Sequence, residues 1–163
     1  MLIRISQCDP RWGSKKIGKS KTTVCKAGCL ICSMTMAVHK IIPDSKLTPA
    51  YAAFNWDFVK QGDDPEPHYL SWETDFSPWG FKAFRYYTFD SNMVKLMCTD
   101  KEVAVVMEVE LKKGGKHWVH VIGPSVFDWA VDDPINGKRL YKTFGLLGKY
   151  KRPTGFVIVR KCS

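Results

Sequence analysis

The feature that most restricts the fold is a pair of β-rich segments separated by a short glycine turn in the second half of the chain. Residues 103–109 are rich in valine, and residues 117–122 form a second segment of the same kind. Between them lies Lys112-Lys-Gly-Gly115, which suits a hairpin turn. The pattern predicts an antiparallel hairpin, and residues 127–131 and 156–160 predict further strands.

Helices are predicted earlier in the chain. Residues 29–38 form an apolar run without proline or glycine, which favours a buried helix that ends before Pro43. Thr48 and Pro49 suit the N-cap and first position of a second helix, predicted to continue to residue 59. Helices followed by an antiparallel sheet indicate an α+β fold.

The other segments carry weaker signals. Residues 11–28 and 63–80 are predicted as loops, the second with at most one short helix, and Ser91 could cap a helix through residue 97. The 163 residues fit one domain, residues 1–163, and we expect a monomer.

Composition excludes some classes of protein. An apolar fraction of 45% with 13% aromatic residues argues against disorder. No run of 18 apolar residues predicts a membrane span, and the N-terminus does not resemble a signal peptide, so we expect synthesis in a cytoplasm with reduced thiols. The net charge of +9 favours anionic polymers by long-range attraction, but no nucleic-acid motif accompanies it and we expect no nucleic-acid partner.

Cys29 is the candidate nucleophile. It follows Gly28 and begins the first predicted helix, where unpaired N–H groups and the helix dipole favour a thiolate. Gly28 would allow a substrate backbone to come close. A buried, inert cysteine is the alternative.

A cysteine nucleophile needs a base, and the chain has four histidines. His39 lies ten residues along the same predicted helix, about 15 Å away, and cannot reach. His68 is expected to face solvent from a proline-rich loop. His117 and His120 lie at odd spacing on one strand and face opposite sides, so His117, beside the glycine turn, is the candidate base and His120 is expected to be packed.

The remaining site residues are less specific. Asp132 and Asp133 end the next predicted strand, and either carboxylate could orient His117. Asp133 precedes Pro134, which holds it extended. Gln7 could stabilise an oxyanion together with the backbone N–H of Cys29.

Taken in order, these motifs resemble a known family. The chain contains Gln7-Cys-Asp-Pro-Arg-Trp-Gly13, Gly28-Cys29, Thr48-Pro49, His117-Trp-Val-His-Val-Ile-Gly123 and Val131-Asp-Asp-Pro134. The set resembles the bacterial and phage papain-like cysteine peptidases related to the double-glycine leader peptidases of bacteriocin exporters. The resemblance implies a papain-like fold and a Cys29–His117–Asp133 triad with Gln7 in the oxyanion hole, with no cofactor and no metal.

The substrate is then a peptide or amide bond. The basic charge suits peptidoglycan, as in a phage endolysin released to the cell wall, while processing of a protein precursor and an inactive binding module are the alternatives. Aromatic residues could line a groove, although most are expected in the core. They are Trp56, Trp72, Trp79, Trp118 and Trp129.

The six cysteines allow a rival interpretation. Cys25, Cys29 and Cys32 have the spacing of radical enzymes that bind an iron–sulfur cluster and S-adenosylmethionine, and they could also contribute to a zinc site. The predicted order of helices before strands does not suit the barrel of the radical enzymes.

Overall fold

The computed structural model describes residues 3–126, 128–141, 143–144 and 148–163. The fold is α+β, with a few helices and a six-stranded antiparallel sheet. The helices are α1 (Val24–Ala27), α2 (Cys29–Ile41), α3 (Pro49–Asn55) and α4 (Ser91–Met97), with a 3-10 helix at Ser77–Trp79. The strands are β1 (Phe58–Val59), β2 (Tyr69–Leu70), β3 (Phe81–Tyr86), β4 (Val103–Leu111), β5 (Lys116–Pro124), β6 (Trp129–Asp133), β7 (Lys138–Leu140) and β8 (Tyr150–Lys161). The strand order in the six-stranded sheet is β3-β8-β4-β5-β6-β7, and β1 and β2 form a separate pair.

Helix α2 is the central helix of the fold. Its apolar residues are buried along most of its length, and it packs across β4, β5 and β8. The predicted helix over residues 29–38 is confirmed and extends to Ile41, two residues before Pro43. The predicted loop over residues 11–28 contains the four-residue helix α1, which leads directly into α2.

Helix α3 begins as the sequence predicts. The side chain of Thr48 accepts a hydrogen bond from the Tyr51 N–H at 3.1 Å, and Pro49 is the first helical residue. The predicted continuation to residue 59 is wrong, because the helix ends at Asn55. Trp56 has an extended backbone and buries its ring against Phe76, with ring centroids 5.2 Å apart, so the chain leaves the helix there.

The predicted hairpin is confirmed. Strands β4 and β5 pair with Val109 opposite His117, and Gly114 and Gly115 take the positive φ angles that the turn requires. The predicted strand over residues 127–131 corresponds to β6, which begins at Trp129; Phe127 lies outside the described residues. The final strand, β8, is longer than predicted, and sequence analysis missed the edge strands β3 and β7.

Apolar side chains cover both faces of the sheet. One cluster joins α2 and α3 to residues such as Val106 and Val157, and a second cluster joins α4 to residues such as Val105 and Phe156. Because the two clusters alternate along each strand, the central strands are buried on both sides.

The helices outside this core are short. Asp90 caps α4 through hydrogen bonds from two backbone N–H groups, so Ser91 is the first helical residue rather than the predicted cap. Among the helices of the described residues, none is long and apolar enough to cross a membrane.

Candidate active site

Cys29 is the first residue of α2 and lines a cavity of about 530 Å³. The backbone N–H groups at a helix start lack intrahelical acceptors, and the dipole there favours negative charge. Gly28 is buried against α1. A Cβ at this position would lie 2.5 Å from the carbonyl oxygen of Val24, so only glycine allows α1 to meet α2 this closely.

His117 lies next to Cys29 and Asp133, at the start of β5. Its Nε2 donates to Asp133 Oδ1 at 2.8 Å, and Cys29, which lines the same cavity, is close enough to interact electrostatically with the imidazole. Since Nε2 faces the carboxylate, we infer that Nδ1 faces the sulfur. Burial lowers the pKa of His117, but the hydrogen bonds and charges of Asp133 and Cys29 outweigh it and raise the pKa to about 9.

Asp133 is completely buried at the end of β6. Besides His117, it accepts hydrogen bonds from the backbone N–H of Ile135 at 2.9 Å and from the Tyr150 hydroxyl at 2.7 Å, and it pairs with the Lys149 ammonium. Burial raises the pKa of Asp133, but these partners outweigh it and hold the pKa well below its ordinary value. The carboxylate therefore keeps its charge in a site without direct contact with solvent.

Asp132, the alternative acid, points away from His117. It forms a bidentate pair with Arg139, with both N–O distances 2.8 Å, and its other neighbour is His120 at 4.0 Å. Successive residues of a strand face opposite sides, so one of the two aspartates belongs to each face. The structure thus brings Asp133, and not Asp132, to His117.

The structure also brings Gln7 to this cavity. Its backbone N–H donates to the carbonyl of Pro134, and its side-chain Nε2 donates to the carbonyl of Cys25, both at 2.6 Å. An amide nitrogen carries two hydrogens, so one N–H remains for a second acceptor. The Oε1 atom is buried without a partner among the described residues.

The other cysteines are separated from this arrangement. Cys8 and Cys25 form a disulfide, so the expectation of reduced thiols does not hold for this pair. Cys32 is buried in the core, and burial raises its pKa. With Cys25 bonded to Cys8, the three-cysteine spacing does not supply three thiolates, and within the described ranges no group of His, Cys, Asp and Glu residues is placed to hold a metal ion.

The remaining histidines occupy three different environments. His120 is fully buried, as expected, and His39 donates from Nε2 to the Leu47 carbonyl at 2.8 Å, away from Cys29. His68 does not face solvent as predicted, because its ring stacks on Tyr69 with centroids 4.3 Å apart and lines the cavity.

One wall of the cavity was not predicted from the sequence. Arg85 on β3 donates to Glu108 Oε2 at 2.7 Å, and its guanidinium lies 4.6 Å from the ring centre of Trp118. Glu108 is buried and also accepts from Lys116 at 2.7 Å and Thr154 at 2.6 Å. Arg85 belongs to a strand that the sequence pattern did not reveal, and an aromatic-rich segment ending before Thr88 was the only signal for it.

The predicted groove aromatics divide between the core and the cavity. Trp118 and Trp72 line the cavity, with ring centroids 6.2 Å apart. Trp56 and Trp129 are buried in the two apolar clusters, and Trp79 packs against the first cluster.

No family model, no curated protein and no solved structure matches this chain. A functional assignment therefore depends on the geometry and chemistry of the site.

Proposed function

We propose that this protein is a cysteine hydrolase with a papain-like fold that cleaves peptide or amide bonds. The observation that carries the proposal is that Cys29 and His117 line one cavity and interact there, while His117 is hydrogen-bonded to the buried carboxylate of Asp133. A nucleophile, a base and a group that orients the base are the components that acyl transfer requires.

In the proposed reaction, the Cys29 thiolate attacks the carbonyl carbon and forms a carbon–sulfur bond, while the carbonyl electrons move to oxygen. The His117 imidazolium donates its proton to the leaving amine as the carbon–nitrogen bond breaks. Water then attacks the thioester, His117 takes a proton from it, and the thiolate leaves with the acid product released.

Two donors are proposed for the oxyanion. The first is the free side-chain N–H of Gln7, whose Nε2 is held by the Cys25 carbonyl at 2.6 Å. The second is the backbone N–H of Cys29 at the start of α2. Fixed donors of this kind stabilise the charge that develops in the tetrahedral intermediate.

Asp133 is proposed to orient His117 and to favour its protonated form. Both carboxylate oxygens are fully engaged by protein donors, so the group cannot rotate away from the imidazole. A charged carboxylate in a buried site interacts strongly with the imidazolium, because little water screens it.

Peptidoglycan is the proposed substrate, which would make the protein an endolysin-like enzyme. The net charge of +9 attracts anionic wall polymers, and the cationic side chains Lys26, Arg85 and Lys116 line the cavity. The exposed edges of Trp72 and Trp118 offer apolar surface to a sugar or peptide. A precursor peptide is the second substrate to be tested.

The test is release of soluble fragments from purified peptidoglycan by wild type, Cys29→Ala and Cys162→Ser. We expect release by wild type and Cys162→Ser, and none by Cys29→Ala or by iodoacetamide-treated wild type. Cys162 is a free thiol that does not line the cavity, so it controls for the loss of a cysteine.

Fragment masses would identify the bond that is cleaved. Equal release by wild type and Cys29→Ala would refute the cysteine mechanism. If the wall is not cleaved but a precursor peptide is, with the same dependence on Cys29, the substrate assignment fails and the hydrolase assignment stands. Binding of either substrate without turnover would indicate a binding module.

A further inference from the structure

The segment that carries Gln7 meets Cys25 in two ways. The side-chain Nε2 of Gln7 donates to the Cys25 carbonyl at 2.6 Å, and the next residue, Cys8, forms a disulfide with the Cys25 sulfur. The disulfide therefore fixes the distance between the backbone that carries Gln7 and the carbonyl that orients its amide.

Cys25 also belongs to the segment that leads to the nucleophile. It lies in α1, which continues through the buried Gly28 to Cys29 at the start of α2. The disulfide spans a sequence separation of 17 and joins the segment carrying the proposed oxyanion donor to the helix start carrying the nucleophile.

The orientation of the Gln7 amide depends on this contact. Gln7 is only 8% exposed, and its Oε1 has no hydrogen-bond partner among the described residues. If the amide rotated by half a turn, Oε1 would face the Cys25 carbonyl and the second N–H would no longer point the same way. Loss of the Cys25 contact would therefore leave the amide without a preferred orientation.

We propose that the Cys8–Cys25 disulfide is a positioning element of the oxyanion hole, and that its reduction slows acyl transfer while leaving Cys29 and His117 in place. This inference rests on the proposed function. A dithiol would supply two electrons and two protons, yielding two thiols and becoming a disulfide itself. Cys8 is exposed, so a dithiol can reach the bond, and activity is highest where the bond stays oxidised.

The experiment separates the disulfide from the nucleophile by mutation rather than by a reductant. Four proteins are compared on the substrate found for wild type. They are wild type, the disulfide variant Cys8→Ser/Cys25→Ser, Gln7→Ala, and the triple variant that combines all three substitutions. Cys98→Ser/Cys162→Ser is the matched control, because it also replaces two cysteines and neither residue lines the cavity.

We expect Gln7→Ala to lower kcat by about 100- to 1,000-fold, which is typical of a lost oxyanion donor. The disulfide variant should lose about 10- to 100-fold in kcat with KM little changed, because misplacement of the donor by about 1 Å has effects of this size. Alkylation of Cys29 by iodoacetamide should continue in the disulfide variant. The triple variant should be no slower than Gln7→Ala, because the disulfide has no further route to the reaction.

A wild-type kcat in the disulfide variant would overturn the proposal. So would a triple variant in which both losses multiply, because the disulfide would then act independently of Gln7. Folding of each variant is checked by the dispersion of its amide NMR spectrum.

A second measurement does not need activity. Of the two side-chain N–H signals of Gln7, assigned by their loss in Gln7→Ala, the one hydrogen-bonded to the Cys25 carbonyl should exchange slowly with solvent in wild type and rapidly in the disulfide variant. An unchanged exchange rate in the disulfide variant would overturn the proposal. This result does not depend on activity, so it can be obtained even if the Cys29→Ala test refutes the hydrolase assignment.

Discussion

Replacing Asp133 with asparagine should separate the orienting carboxylate from every other part of the site. The substitution keeps the size and shape of the side chain and removes its charge. The rise in the His117 pKa from its ordinary 6.5 to about 9 corresponds to a preference for the imidazolium of about 3 kcal/mol. Burial opposes this rise, so it depends on the hydrogen bonds and charges of Asp133 and Cys29.

For the proposed hydrolase activity, the expected result is slower turnover with a shifted pH profile. Without the carboxylate, we expect kcat to fall about 100- to 10,000-fold, since the imidazole loses both its orientation and its charge partner. The alkaline limb of the rate profile reports deprotonation of His117, and a lost opposite charge should move it to lower pH by about 1–3 units. The assay is kcat/KM against pH, with His117 titrated in parallel by NMR.

Asp132→Asn is the matched control. Asp132 is the adjacent residue, is equally buried and has its own charge partner in Arg139, but it faces away from His117. It should lower the free energy of unfolding and leave the alkaline limb where it is in wild type. Either of two results would refute the assignment of Asp133 as the carboxylate that orients His117. The first is slower turnover in Asp132→Asn but not in Asp133→Asn, and the second is a His117 pKa that stays near 9 in Asp133→Asn.

Three further predictions concern stability. Burial lowers the pKa of His120 to about 4, so the unfolded state binds more protons than the folded state between pH 6.5 and 4. The free energy of unfolding should therefore fall by about 3 kcal/mol as the pH is lowered from 6.5 to 4. Urea denaturation of wild type and His120→Leu at both pH values measures this loss. Glu108→Ala leaves the guanidinium of Arg85 buried without its charge partner and should cost about 3–5 kcal/mol by the same assay, whereas a cost below 1 kcal/mol would show that the pair contributes little. Gly28→Ala places a methyl group 2.5 Å from the Val24 carbonyl oxygen and should cost about 1–3 kcal/mol, and an unchanged unfolding midpoint would contradict the packing argument.

The parts of the fold that sequence could predict are those set by local patterns. The apolar run after Gly28 predicted α2, and the valine-rich segments around Gly114 and Gly115 predicted the β4–β5 hairpin, because helix and strand periodicities are local properties. The positions of Cys29 and His117 at the starts of these elements follow from the same patterns.

The choice between the two aspartates could not be predicted in this way. The pairing of β5 with β6 has a register shift between Val121 and Gly123, and a shift of one residue exchanges the two faces of a strand. Since the irregularity is a property of the paired strands, the residue pattern left Asp132 and Asp133 equivalent, and only the family resemblance favoured Asp133.

Two other features depend on long-range contacts. Six cysteines allow many pairings, so the Cys8–Cys25 bond has no local sequence signal. Arg85 lies on β3, whose alternation of aromatic and charged residues resembles an exposed segment; the strand becomes recognisable only through its pairing with β8.

The charges of the site are arranged so that buried acids do not make the cavity negative. Glu108 is the only acidic residue among the described residues that line it, and both of its oxygens are occupied by Arg85, Lys116 and Thr154. Lys26 lines the cavity and forms no ion pair with a described residue. In the proposed function, an anionic group of a substrate would therefore meet an unopposed cation in the cavity that Cys29 also lines, so a preference for anionic substrates would arise at the site itself as well as from the overall charge of the protein.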